Sequence, residues 1–313
     1  MKKLLAIIFS FLIPGILVTV GWADQTIIAR KVATPPVIDG IADDSTWNHA
    51  AEYMTVDSIA NIPVTFKIAY TDTDIFVLAS YPDENESITH KSWLWDQEQG
   101  LYVSGPDRED ALVLKWNMGP EPIDLSITGD DAYAADIWFW KASRTNPLGY
   151  ADDKIDRYGP EEDRKAQKIT TRTGRQMFLK RKPDSGETMY KDTIYVDYEK
   201  DVMPHFDLRQ PNGSAADIKA KGVWADGRWT IEMGRALNTG HDDDVQFESG
   251  KNYYFGISRY EISGGKADPE IDQPLFNAGE ISELMTLQFG PALTVTPEAA
   301  LTEPDSTQTV QNE

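Results

Sequence analysis

Apolar and polar residues alternate with a period of two along much of this chain, and that pattern confines it to β-structure. The runs Val64 to Tyr70 and Ile75 to Tyr81 are strand-like, and Thr71-Asp72-Thr73-Asp74 between them is turn chemistry, so they read as a β-hairpin. A second hairpin runs from Ile218 to Trp224, turns through Ala225-Asp226-Gly227 and returns from Arg228 to Met233. Asp110 to Met118 places Leu112, Leu114, Trp116 and Met118 on one face. Asp136 to Ala142 puts Trp138 and Trp140 on one face, with Phe139 and Lys141 on the other. Asn252 to Ile262 and Glu283 to Phe289 complete the set, and no stretch carries the period of a four-turn helix. The expected fold class is all-β, an antiparallel immunoglobulin-like β-sandwich with a long inserted loop region.

The two ends read differently from the body. Residues 1–23 have the form of a secretory signal: Lys2 and Lys3, an apolar run from Leu4 to Val20, then Gly21-Trp22-Ala23 as a small-residue cleavage site. Pro14-Gly15 interrupts the run and charged sequence follows it, so no retained membrane span is expected. The expected location is the periplasm. One domain over 24–292 would follow, and 293–313, polar and rich in Thr, Pro, Glu and Gln, reads as a disordered tail. Within the domain, about 145–215 reads as an insertion. Between Lys154 and Lys191 it holds 11 Lys/Arg against six Asp/Glu, in a chain of net charge −21. A solvated loop is the plain reading and a docking surface the sharper one.

Composition excludes several chemistries. The chain has no Cys, so it forms no disulfide, no Cys-ligated iron–sulfur cluster, no thioether-attached haem and no thiol nucleophile. With 51 Asp+Glu against 30 Lys+Arg it is a poor partner for nucleic acid. No Gly-x-Ser-x-Gly elbow or His-Glu-x-x-His pair occurs, and His49, His90, His205 and His241 are widely separated. Asp242-Asp243-Asp244 lacks the interleaved spacing of a calcium loop and is expected to be a solvated acidic turn. Carboxylate pairs of a glycosidase carry no weight among so many acidic residues. Met118 is either a core methionine or a soft ligand. Lys219 and Lys221 share one strand face, where lysines ordinarily point to water. A lysine facing an apolar cavity would instead lose its proton more readily, and only the neutral amine binds a metal.

Five stretches, read together, carry a resemblance. They are Pro36 to Trp47, Arg108 to Gly119 (ending Trp-Asn-Met-Gly), Ala135 to Ala142 (Ala-Asp-Ile-Trp-Phe-Trp-Lys-Ala), Asp217 to Trp229, and Arg235 to Phe247. In this order, over roughly residues 34–290, the chain resembles the haem-binding domain of the ethylbenzene-dehydrogenase γ-subunit family. That family includes γ-subunits of dimethylsulfide, selenate, chlorate and nitrite oxidoreductases. The resemblance implies a β-sandwich holding one non-covalent haem b, its iron held by a methionine and a lysine. Met118 matches the family's Met-Gly. Lys221 is the favoured second ligand, with Lys219 and Lys141 as alternatives. Some relatives carry His where this chain has Phe139, which leaves the second ligand less fixed than the first. Trp116, Trp138 and Trp140 would pack near the porphyrin or form the core.

The implied function is electron relay, not catalysis. The chain would sit in a heterotrimer with a molybdopterin catalytic subunit and an iron–sulfur subunit, exchanging electrons with a soluble c-type cytochrome. Its length and basic insertion look closer to nitrite-oxidoreductase-type γ-subunits than to the shorter hydrocarbon-dehydrogenase ones. Two other readings stand beside this one. Ile38-Asp39-Gly40 through Trp47 is shared with family-nine carbohydrate-binding modules, in which exposed tryptophans would stack on sugar rings. An orphan periplasmic b-type cytochrome of the same fold is the third.

Overall fold

The computed structural model describes residues 25–56, 62–260, 281 and 283–292. The signal reading (1–23) and the tail (293–313) lie outside the described residues, as does the end of the Asn252–Ile262 run. In chain order the strands begin with β1 (Gln25–Lys31), β2 (Tyr53–Val56), β3 (Pro63–Tyr70), β4 (Asp74–Pro82), β5 (Trp93–Asp96) and β6 (Leu101–Ser104). Next come β7 (Ala111–Asn117), β8 (Tyr133–Lys141), β9 (Asp152–Gly159), β10 (Gln167–Thr170), β11 (Gln176–Pro183) and β12 (Tyr190–Asp192). The rest are β13 (Val202–Met203), β14 (Phe206–Leu208), β15 (Lys219–Ala225), β16 (Arg228–Ala236), β17 (Tyr253–Tyr260) and β18 (Met285–Ala292). A single turn of helix, α1 (Ser45–His49), precedes β2.

Among the described residues, 13 strands form one sheet, in the order β10-β11-β9-β8-β7-β17-β18-β1-β3-β4-β16-β15, with β2 beside β3. The sheet folds over so that its halves face each other. Trp140 of β8 packs edge-on against Trp229 of β16, ring centroids 4.8 Å apart, and Phe255 of β17 meets Phe66 of β3 at 6.3 Å. Between the halves, Leu112, Leu114, Trp116, Trp138 and Trp140 share one core with Ile68, Val77 and Ile231. The sandwich expected from the period-two runs is therefore present, and burial of that core is the main stabilising contribution. The Asp226-Gly227 turn joins β15 to β16 with φ of 51° and 71°, the left-handed pair that a two-residue hairpin turn requires.

Two features differ from expectation. The sheet is mixed, because β1 runs parallel to both β18 and β3. Alternation sets which face is buried but says nothing of strand direction. The insertion, expected as loop, is strand-built. Its β9, β10 and β11 extend the main sheet, β12 pairs with β14, and β13 joins β5 and β6. Its periodicity was masked because buried positions of β9 carry Asp152, Asp153 and Asp156 in place of apolar residues. Behind β8, β9 and β11, a second apolar cluster gathers Leu125, Ile127, Ile137, Tyr158, Met177 and Leu179.

The Pro36–Trp47 stretch is a clasp on the outer face of β16. Glu232 accepts hydrogen bonds from Asp39 N–H at 3.0 Å, Gly40 N–H at 2.9 Å and the Trp47 indole at 2.7 Å. Burial pushes the Glu232 carboxyl up, and these three donors oppose the shift.

Candidate functional site

β7 ends where its core-facing row runs out of the sandwich. Met118 keeps the parity of Leu112, Leu114 and Trp116 and packs, half-buried, on the core rim. Its N–H still donates to Ala134 O at 3.0 Å. Asn117 then turns the chain: its Oδ1 accepts from Gly119 N–H at 3.1 Å, and its Nδ2 donates to Glu121 O at 2.7 Å. At this end of the core a cleft of about 590 Å³ opens, lined by Met118, Val245, Lys251, Asn252, Tyr253 and Tyr254 among others. An aromatic group backs it. Trp116 stacks on Phe255 at 4.6 Å and meets Phe247 edge-on at 5.1 Å, and Phe247 meets Tyr253 at 4.9 Å. The Tyr253 hydroxyl accepts from Glu248 N–H at 2.6 Å and donates to Gln246 O at 3.0 Å, fixing the loop that carries Lys251.

The structure does not bring the three lysines singled out from sequence to this cleft. Lys221 lies on edge strand β15 and donates to Asn146 O at 3.3 Å. Asn146 Oδ1 in turn accepts from the Trp140 indole at 3.0 Å, which places Lys221 at the Trp140 level. Trp140 pairs with Leu112, and from Leu112 to Met118 is roughly 20 Å at the rise of a strand. Lys219 is exposed, its ammonium 3.6 Å from the Tyr150 ring centroid. Lys141 is buried on the outer face of β8, paired with Asp152 and donating to Tyr190 OH at 2.7 Å. Burial pushes Lys141 well below the usual ammonium range although Asp152 opposes the shift, whereas Lys154, which shares Asp152, is held above it. Its chemistry suits a neutral amine, yet the position is wrong for one that acts with Met118.

Lys251 is the amine that shares the cleft with Met118. Sequence reasoning missed it because it follows Glu248-Ser-Gly in a turn, outside any strand face. The Glu248 carboxylate at 2.6 Å raises the Lys251 pKa, so the amine serves as a ligand only after releasing that carboxylate and its proton. Trp116, Trp138 and Trp140 are fully buried core residues, and the Trp116 and Trp138 indole N–H groups have no hydrogen-bond acceptor. None of the described tryptophans is exposed; Trp93, Trp95 and Trp224 are half-buried. The exposed tryptophans that the sugar-binding reading calls for are not found among the described residues.

The acidic run at Asp242 also departs from expectation. Asp244 is buried, not solvated, and accepts from Arg235 at 3.0 Å. Arg235 also donates to Asp136 at 2.8 Å and to Val245 O at 2.7 Å. Desolvation pushes the Asp244 carboxyl up to about 7, against the pull of Arg235.

Both the fold and the cleft define a β-sandwich that offers a thioether and an amine at one end of its core. The chain belongs to the ethylbenzene dehydrogenase family, whose model matches residues 41–268. Membership associates it with haem-binding subunits of oxidoreductase complexes. No curated protein matches. Similar solved structures include a family 9 carbohydrate-binding module from Caldicellulosiruptor kristjanssonii with cellotriose, at 13% identity and TM-score 0.38, over 88% of this chain and 99% of that one. The same module with glucose matches at 13% identity and TM-score 0.36, over 85% and 97%. A solved protein from Bacteroides uniformis matches at 13% identity and TM-score 0.35, over 84% and 99%. Likeness at this level carries no argument about function. The cleft residues fit the group the family implies: a soft sulfur, an amine and aromatic walls around a volume typical of cofactor sites.

Proposed function

We propose that this chain is a periplasmic electron-transfer subunit that carries one haem b in the Met118 cleft, and is not itself a catalyst. The observation that carries the reading is that Met118 and Lys251 line one cleft at the end of the sandwich core, in a member of this family. A thioether and an amine that together held the group would leave it suited to passing electrons and not to binding a substrate. Met118 would supply the sulfur, and Lys251, freed from Glu248, the amine. Phe247 and Tyr253 would exclude water from the buried side.

The partners proposed are a molybdopterin catalytic subunit, an iron–sulfur subunit and a soluble c-type cytochrome, in a complex of the nitrite oxidoreductase type. Support comes from the insertion, which presents apolar side chains to solvent: Ile194 is 85% exposed and Val196 80%. Patches of this kind mark contact surfaces. No helix among the described residues is long and apolar enough to cross a membrane.

The test is a reduced-minus-oxidised visible spectrum of protein expressed with its leader and supplied with haem. The parent should give a low-spin b-type spectrum. Met118→Ala and Lys251→Ala should each turn it high-spin or lose haem, and Lys221→Ala should leave it unchanged. A parent without a Soret band sinks the cytochrome reading. A spectrum altered by Lys221→Ala and not by Lys251→Ala returns the second ligand to β15.

A further inference from the structure

Five carboxylates converge where the insertion meets the sandwich. Asp136 lies on β8, Asp153 on β9, Asp184 just after β11, and Asp243 and Asp244 in the loop that follows β16. Ligand oxygens of Asp136, Asp153 and Asp244 lie within 4.8 Å of one another, and so do those of Asp184, Asp243 and Asp244. Asp184 is tied to Asp153 by a backbone bond, its N–H donating to Asp153 O at 3.2 Å. Arg235 is the basic side chain in salt-bridge contact with the buried members, and its guanidinium is committed to Asp136 and Asp244. It stands 3.9 Å from Asp153.

The second observation is independent of the clustering. Neither side-chain oxygen of Asp153 or of Asp184, nor Oδ1 of Asp136, is given a hydrogen bond by a surrounding donor, although the Asp153 and Asp184 carboxyls lie against each other, and all are buried. These residues are 1%, 5% and 0% exposed, respectively. Buried carboxylate oxygens are ordinarily satisfied, because leaving them bare costs several kcal/mol each by transfer arguments. A run of such oxygens aimed at one another is the donor set that a hard divalent cation takes, and it lacks the nitrogen and sulfur donors that a softer metal prefers.

We propose that Asp136, Asp153, Asp184, Asp243 and Asp244 bind one divalent cation of the calcium class. Calcium accepts six to eight oxygens in irregular geometry, which suits carboxylates gathered from four separate segments; the strict octahedron of magnesium does not. A surface hollow of about 460 Å³, lined by Ser185, His241 and Asp243 among others, gives the ion a route in. The bound cation fastens β9 and the end of β11 to the Asp244–Gln246 loop, and that loop is also one wall of the Met118 cleft. The site thus joins the insertion to the cleft, but binding the ion requires nothing of haem.

The experiment uses the full chain, stripped with EDTA, dialysed and titrated with calcium chloride by calorimetry, with thermal unfolding followed in parallel. One calcium per chain is expected, with Tm raised by roughly 5–10 °C at saturation. Asp153→Asn and Asp184→Asn should each weaken binding at least tenfold. Near-UV circular dichroism checks that each variant is folded. If the stripped parent binds no calcium at millimolar concentration, or its Tm ignores both calcium and EDTA, the proposal is overturned. The carboxyls are then held by shared protons. Variants that fold and still bind calcium as the parent does would overturn the ligand assignment.

Discussion

His90 shows at the scale of one residue how burial fixes protonation. It is 5% exposed, and its Nδ1 lies 3.5 Å from the Glu109 N–H and 3.5 Å from the Glu109 carboxylate. Desolvation first, then the positive charges of Arg144, Lys91 and Arg108, lower its pKa from 6.5 to about 2. The folded pKa lies below the unfolded one, so the stabilisation is complete above the unfolded value and is lost as pH falls below it. Each pH unit under about 6.5 should cost up to about 1.4 kcal/mol. Urea unfolding at pH 7 and at 5.5, for the parent and His90→Gln, checks this. The parent should lose about 1 kcal/mol more than the variant on acidification, and equal losses would rule the buried imidazole out as the cause. Met118 and Lys251 belong to the same scale. A thioether is indifferent to pH, whereas the amine must shed a proton, so ligation at the cleft should weaken in acid at Lys251 alone.

At the scale of elements, the β15–β16 hairpin closes the sandwich through a contact with no slack. A Cβ built on Gly222 would lie 2.4 Å from the Trp140 ring, while the Gly222 N–H donates to Asn146 Oδ1 at 2.7 Å. Gly222→Ala should therefore destabilise by about 1–3 kcal/mol through overpacking, read as a lower urea midpoint with an unchanged m-value. Gly149→Ala, at a left-handed but open position, separates backbone strain from crowding. The same hairpin was fully legible beforehand: Asp226-Gly227 flanked by alternating residues can do little else. So were the β3–β4 hairpin and the core face of β7, because their buried positions are apolar. What stayed hidden has a common cause. β9 buries aspartates where a strand normally buries valines, so its period reads as loop. The acidic cluster draws members from β8, β9, the end of β11 and the loop after β16, a convergence that no local spacing encodes. Met118 was legible as a core-face residue at a strand end. Its cleft partner Lys251 was not, since a turn lysine carries no periodic signal.

For the molecule as a whole, the insertion turns from an unexplained tract into a surface. Beyond the strands that extend the main sheet, its outer part presents Ile194, Val196 and Val202 to solvent. Replacing Ile194 and Val196 together by Ser should leave Tm and haem content within error and lower the fraction of chain that co-purifies with the proposed partner subunits. Unchanged co-purification would show that assembly uses another face. The order of the main sheet carries a different consequence. β1 stands between β18 and β3, so among the described residues the strand ladder that links the two halves of the sheet runs through a strand drawn from the beginning of the described chain, laid against one drawn from its end. A polypeptide emerging from a ribosome or a translocation channel keeps that seam open until residues 285–292 arrive. Loop closure across nearly the whole sequence must then be met in one late step. Folding should accordingly be slow, with the edge of β1 open to wrong pairing in the interval.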